Sequence, residues 1–156
     1  MDPTSERLAE AVAGWRLQLP EAHQHLIDTA VAALVDGCES TAVAKLAGSE
    51  TDNPFVIDEA IERAVSDLHL GPLLDADLGV VATRRFARDV RDGRMDEREL
   101  TRWVHTRFHH EADAEILNRL AELDDDFDIA SGVREIEHVR TSVREAAVEL
   151  LGEGVS

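Results

Sequence analysis

The amino-acid sequence predicts an all-α protein, built as a single orthogonal or irregular bundle of about seven or eight helices. Three observations support this fold class. Apolar residues recur every three or four positions along the chain, which is the spacing that gives a helix one buried face. Residues that favour helix starts, and glycines that favour helix ends, lie between these stretches. No segment alternates between apolar and polar residues over five or more positions, so no strand is predicted.

The first half of the chain is predicted to hold four helices. An Asp or Asn followed by proline is typical of a helix start, because the side chain caps free N–H groups and proline fits the first helical position. A glycine just after an apolar stretch is typical of a helix end. The predicted starts are Asp2-Pro3, Pro20-Glu21, Ser40 and Asn53-Pro54, the predicted ends are Gly37 and Gly48, and residues 48–53 form a loop.

The second half is predicted to hold four more helices after a break at Gly71-Pro72. The chain, residues 1–156, is interpreted as one helical domain with a possible subdivision near 71–74. The predicted helices run from Asp75 or Asp77 to Gly93, from Asp96 through Phe108, from Asp113 to Leu123, and from about Ser131 to Leu150, and the acidic run 124–128 is predicted to be a loop.

The charge of the chain is strongly acidic and limits the classes of partner. One lysine and 15 arginines stand against 33 acidic residues, for a formal net charge of −17. Such a surface repels the phosphates of nucleic acid, so a nucleic-acid partner is not predicted. It suits a protein partner, in particular a basic one.

Several features indicate a cytoplasmic protein. Cys38 is the single cysteine, so no internal disulfide can form, which favours a reducing compartment. The first residues lack the basic and apolar regions of a signal peptide. No apolar run approaches the ~20 residues that a membrane span requires, so no membrane association is predicted.

His105 and His109 are candidate metal ligands. They are four residues apart, so on a helix their imidazoles share a face and can bind a divalent ion with a third ligand from elsewhere. His110 follows directly. The metalloprotease motif requires glutamate after the first histidine, and Thr106 stands there instead. The other interpretation is a solvated pair near the end of the helix.

Two charged segments are candidate partner-binding surfaces. Arg84, Arg88 and Arg91 lie at i, i+4 and i+7, on one side of their predicted helix. Asp124, Asp125 and Asp126 belong to a segment, residues 121–130, with five acidic residues and no base. The alternative interpretations are ion pairs within the molecule for the arginines and a solvated loop for the aspartates.

No catalytic or nucleotide-binding motif accompanies these surfaces. No nucleophile elbow surrounds Ser40, no glycine-rich phosphate loop is present, and no cofactor is predicted. The leading hypothesis is a non-enzymatic protein-interaction or regulatory module with an acidic surface. The alternative is a metal-binding protein or metal-dependent enzyme that uses His105 and His109.

The segment Gly37–Gly48 carries a resemblance, through Gly37, Ser40, Ala42, Leu46, Ala47 and Gly48. It resembles the Gly-x-x-Ser-x-Ala-x-x-Leu-Ala-Gly segment of small uncharacterised helical proteins of actinobacteria, although three residues separate Ala42 from Leu46 here. The similarity extends from about residue 22 to 150 through Asn53-Pro54 and the turn at Gly93-Arg-Met-Asp96. It implies a helical fold and an actinobacterial origin, and it implies no activity.

Overall fold

The computed structural model describes residues 2–49 and 53–152, and these residues form nine α-helices and no strand. The predicted all-α class is therefore confirmed. The helices are α1 (Pro3–Arg16), α2 (Ala22–Val35), α3 (Thr41–Ala47), α4 (Pro54–Asp67), α5 (Gly71–Leu74), α6 (Leu78–Arg91), α7 (Glu97–Phe108), α8 (Glu115–Ile129) and α9 (Val133–Leu150). None of the helices described is both long and apolar enough to cross a membrane.

Most helix starts are the predicted ones. At these starts the capping side chain accepts a hydrogen bond from a free backbone N–H of the first turn. Of the two candidates for the start of α6, Asp77 is the cap, because its carboxylate accepts from the Val80 N–H at 3.0 Å. α2 differs: it begins after Glu21, whose φ is 61° and whose side chain makes no capping bond. The predicted capping residues that do accept such a bond are Asp2, Ser40, Asn53 and Asp96.

The chain divides into two compact units, Met1–Ala82 and Thr83–Ser156. The division lies inside α6 and not at Gly71-Pro72, where α5 forms a short helix. In the first unit α1 packs on α2 and α5, α2 on α3, and α3 on α4. Buried aliphatic side chains fill the space between these helices, and the largest are Leu8, Leu26, Leu46, Ile57, Ile61 and Leu70.

The second unit is built on α7, α8 and α9, which pack on one another. Its core consists of aliphatic side chains and one buried phenylalanine, Phe127. A cluster of three aromatic rings lies on α6 and α7. The centroid of the Trp103 ring is 4.5 Å from that of Phe86 and 5.8 Å from that of Phe108. The buried core residues include Leu100, Val104, Leu117, Leu120, Val143 and Leu150.

The prediction of a loop over residues 124–128 is wrong. α8 extends to Ile129, so Asp124, Asp125 and Asp126 are helical. Aspartate is a weak helix former, but the apolar spacing continues from Leu120 to Phe127, and both side chains are buried. Burial of that face stabilises the helix through the acidic run, since tertiary packing outweighs propensity.

Candidate functional site

The C-terminal end of α7 and the adjoining part of α8 bring together two histidines and two aspartates. Nδ1 of His105 lies 2.9 Å from Oδ2 of Asp124 and 3.8 Å from Oδ1 of Asp125. Nε2 of His110 lies 3.1 Å from Oδ2 of Asp125. The two imidazole rings are edge to face, with centroids 4.7 Å apart. These four residues are called the His-Asp cluster below.

His109 is not part of this cluster, although the sequence predicted a His105–His109 pair on one helix face. α7 ends at Phe108, and His109 has φ 53° and ψ −137°, outside the helical region. The Glu111 N–H donates to the Phe108 carbonyl at 3.2 Å, so residues 108–111 form a turn with His109 at its second position. This turn directs the chain so that His110, and not His109, contacts the ring of His105.

The buried side of α7 supports the cluster. Thr101 is fully buried, and its hydroxyl donates to Oδ1 of Asp124 at 3.1 Å. The other oxygen of Asp124 contacts His105, so this carboxylate has a partner on each oxygen, and its side chain is only 13% exposed. Asp125 and His110 are exposed at the outer side of the cluster. The position of the His105 ring is therefore fixed by a half-buried hydrogen-bond chain.

The arginine stripe on α6 makes contacts within the molecule. Nε of Arg84 donates to the Leu150 carbonyl at 3.0 Å, which satisfies a free carbonyl at the end of α9. Arg91 pairs with Asp92 at 2.9 Å. The third arginine of the stripe, Arg88, is half-buried. The contact of Arg91 with its neighbour Asp92 is an ion pair, and that of Arg84 is a bond to a backbone carbonyl. Partner binding by Arg84, Arg88 and Arg91 stays a prediction.

The three aspartates of the acidic run on α8 differ in their contacts. Asp124 and Asp125 face the two histidines, whereas Asp126 is exposed. The segment thus offers a partner fewer free carboxylates than its sequence suggests. Partner binding by Asp124, Asp125 and Asp126 also stays a prediction.

Two acidic residues at the start of α7 form a network of ion pairs with two arginines of α9. Arg140 of α9 pairs with Asp96 and, at 2.7 Å, with Glu97, and Arg144 pairs with Glu97 at 3.0 Å. Burial raises the pKa of Asp96, but hydrogen bonds from Arg140 and from the Arg98 N–H outweigh it and hold that pKa below its ordinary value. The pKa of Glu97 is lowered in the same way, against the effect of burial, by its own backbone N–H and by both arginines.

A cavity of about 530 Å³ opens in the first unit, and no motif in the sequence indicates it. It is formed where α1 turns into α2, at Gln18 and Glu21, which have φ values of 57° and 61°. The indole N–H of Trp15 donates to Asp58 of α4 at 2.7 Å, which joins the two walls. The cavity is lined by Trp15, Arg16, Gln18, Leu19, Glu21, Ala22, His23, Pro54 and Asp58.

One polar atom in this cavity wall lacks a hydrogen bond. Nε2 of His23 is buried and has no hydrogen-bond partner among the described residues. The ring of His23 packs against that of Trp15 with centroids 5.8 Å apart. A buried polar atom without a partner is costly.

The uncompensated acidic charge is concentrated in the unit that contains the cavity. Residues 1–82 hold 15 acidic and four basic residues, a formal charge of −11. Residues 83–156 hold 18 acidic and 12 basic residues, a formal charge of −6. Two of the four bases in the first unit are paired, Arg16 with Glu62 and Arg63 with Glu59.

Comparison with known proteins leaves the family of the chain open. No model of a known protein family matches the sequence, and neither a curated protein nor a solved structure matches it significantly. The resemblance to small actinobacterial proteins therefore stays a prediction.

Proposed function

We propose that this protein is a non-enzymatic protein-interaction module that binds a basic segment of a partner protein through the first unit. The observation that carries the proposal is the cavity beside Trp15 and Asp58 in a unit with a formal charge of −11. An acidic surface attracts a cationic partner from a distance, and a cavity gives the contact a fixed position. The partner would anchor there by an arginine or lysine side chain.

The chemistry of the cavity supports a cationic anchor. Trp15 offers an aromatic surface, which attracts a cation, and Glu21 and Asp58 contribute carboxylates. The one basic side chain in the wall, Arg16, is already paired with Glu62 at 3.0 Å. A guanidinium has five N–H donors in a planar fork, so it can bind a carboxylate through two hydrogen bonds at once.

An exposed aromatic residue directly follows a cavity-lining residue in the sequence. Phe55 directly follows Pro54, which lines the cavity, and Phe55 is 84% exposed. Aromatic side chains are enriched in protein–protein interfaces relative to the rest of the surface. We therefore expect the partner segment to carry an apolar residue near its basic one.

We place this interaction in the cytoplasm. The support is chemical: Cys38 is a free, half-buried thiol, which persists in a reducing compartment. Fractionation of cells that express the tagged protein tests the location. Recovery in a secreted or membrane fraction would contradict it.

The binding proposal is tested with a synthetic nona-arginine peptide as the cationic probe. Isothermal titration at ~0.05 M and ~0.5 M NaCl should show saturable binding that weakens at the higher salt, because screening removes much of the long-range attraction. Asp58→Asn keeps an oxygen acceptor for Trp15 but removes the carboxylate charge. It should weaken binding about tenfold, which corresponds to about 1.4 kcal/mol.

Two variants with the same change of net charge are the controls. Asp36→Asn alters an exposed residue at the end of α2, and Asp126→Asn alters the exposed residue of the acidic run on α8. Each should change the affinity less than threefold. If either control weakens the binding as much as Asp58→Asn does, the attraction is diffuse and the cavity is not the anchor site.

A further inference from the structure

We propose that His105, His110 and Asp125 bind a divalent transition-metal ion, with Zn²⁺ the natural candidate, at the C-terminal end of α7. Each of these residues contributes one ligand atom, and the three atoms lie within 4.8 Å of one another. This metal site is separate from the proposed partner-binding cavity, because all its ligands lie in the second unit.

The spacing of the ligand atoms is close to that of a zinc site. Bond lengths of about 2.0–2.2 Å to nitrogen and oxygen place the ligands of a tetrahedral ion about 3.3 Å apart. Nε2 of His110 is already 3.1 Å from an Asp125 oxygen, and the ligand atoms of all three residues lie within 4.8 Å of one another.

The ligand types favour a borderline metal over Mg²⁺ or Ca²⁺. Two imidazoles and one carboxylate suit Zn²⁺, Co²⁺ and Ni²⁺, whereas Mg²⁺ and Ca²⁺ prefer oxygen ligands alone. Three protein ligands leave a fourth position to water, as in open zinc sites. Asp125 is exposed and so is His110, so an ion can reach the site from solvent.

The supporting residues hold the ligands before any metal arrives. Asp124 receives a hydrogen bond from the buried Thr101 and contacts His105 at 2.9 Å, which fixes the orientation of that ring. Because Asp124 occupies Nδ1 of His105, Nε2 of that ring is the nitrogen left to bind the ion, and a carboxylate that holds a ligating histidine in this way is typical of metal sites. The turn at residues 108–111 brings His110 back over His105. Preorganisation of this kind reduces the entropy lost on binding.

Titration of the full-length protein with ZnCl₂, and separately with CoCl₂, tests the site. One ion should bind per chain, and the visible spectrum of bound Co²⁺ should report nitrogen and oxygen ligands. His105→Ala, His110→Ala and Asp125→Asn should each weaken Zn²⁺ binding by more than tenfold. Asp124→Asn acts through His105 and should weaken it about 10- to 100-fold. Far-UV circular dichroism checks that each variant keeps its helices.

Two histidine variants are the matched controls. His109→Gly removes the imidazole that the sequence paired with His105, yet it suits the positive φ of the turn. His138→Ala removes an exposed imidazole on α9. Both should keep the wild-type affinity within about twofold. The proposal is overturned if no Zn²⁺ binds at 100 µM protein and metal, if none of the three ligand variants weakens binding, or if His109→Gly weakens it as much as His110→Ala does.

Discussion

His109 has a backbone conformation that a glycine would adopt more easily. Its φ of 53° and ψ of −137° are close to the second position of a type II′ turn, where glycine is the usual residue. A side chain in such a sparsely populated region costs about 1–3 kcal/mol. Glycine loses more conformational entropy on folding, and this offsets part of the gain.

We therefore predict that His109→Gly raises the free energy of unfolding by about 1 kcal/mol. Urea denaturation followed by circular dichroism measures the change. His109→Ala is the control, because alanine removes the imidazole but keeps the Cβ atom that causes the strain. The explanation fails if alanine stabilises the protein as much as glycine does.

Two aliphatic residues of α8 differ sharply in their burial. Leu120 is fully buried, and Ile129, at the end of the same helix, is 78% exposed. Leu120→Ala should lower the free energy of unfolding by about 2–5 kcal/mol, since it removes buried methyl groups and leaves a cavity. Ile129→Ala should lower it by less than about 0.5 kcal/mol. Urea denaturation checks both, and similar costs would contradict the assigned core.

At the scale of the elements, ion pairs join the start of α7 to the middle of α9. Arg140 and Arg144 contact Asp96 and Glu97, and the same contacts raise the pKa of Arg140, chiefly through its hydrogen bonds to Asp96 and Glu97. Because the pKa values of Asp96 and Glu97 are lowered on folding, these groups bind fewer protons when folded. Their contribution to stability is present above about pH 4.5 and is lost as the pH falls through the lowered values.

We predict that Arg140→Gln removes part of this pH dependence. Protonation of other exposed carboxylates relieves repulsion in a chain of charge −17, so the difference between wild type and variant is the informative quantity. The variant should be less stable than wild type at pH 7, and the gap should shrink between about pH 5 and pH 3. Urea denaturation across this range measures it. A gap that stays constant or widens at low pH would contradict the assigned pairs.

α8 shows how an element can exceed its local sequence preference. The run Asp124-Asp125-Asp126 favours a loop by composition, and this was the prediction. Phe127 nevertheless follows Leu120 by seven positions, which is two helical turns, and this spacing was the signal for a longer helix. The side chains of Thr101 and His105, on another helix, then occupy both oxygens of Asp124.

For the whole molecule, the net charge of −17 predicts a dependence of stability on salt. Like charges repel in the compact state, and ~0.1 M salt screens them beyond about 10 Å. We predict that added NaCl, from ~0.02 M to ~0.3 M, raises the midpoint of thermal unfolding. KCl should act equally, because screening depends on ionic strength. A midpoint that falls with salt would show that the ion pairs outweigh the repulsion.

The two units differ in their net charge. The charge is −11 for residues 1–82 and −6 for residues 83–156, and the second unit has many more arginines available for pairing. We predict that salt slows amide hydrogen exchange more at the core amides of Leu26 and Ile57 than at those of Leu100 and Leu120. Exchange measured by NMR at two salt concentrations tests this, and equal slowing would contradict it.

The sequence by itself determined the helical class and most of the helix starts. Both depend on contacts between residues a few positions apart, such as the Asn53 side chain with the Phe55 N–H. The same locality explains why Asp96 was recognisable as a cap. The cavity beside Trp15 was not recognisable in this way, because its walls depend on which helices meet.

The tertiary structure alone decided which histidine lies beside His105. Helical spacing indicated His109, but a backbone turn after Phe108 brings His110 into contact instead. It likewise decided that Arg84 serves the end of α9 and that Trp15 meets Asp58 across 43 positions of sequence to form a cavity wall. The contacts of Arg84 and Trp15 join residues far apart in the chain, the turn after Phe108 departs from helical spacing, and periodicity reports only which side of each helix faces the core.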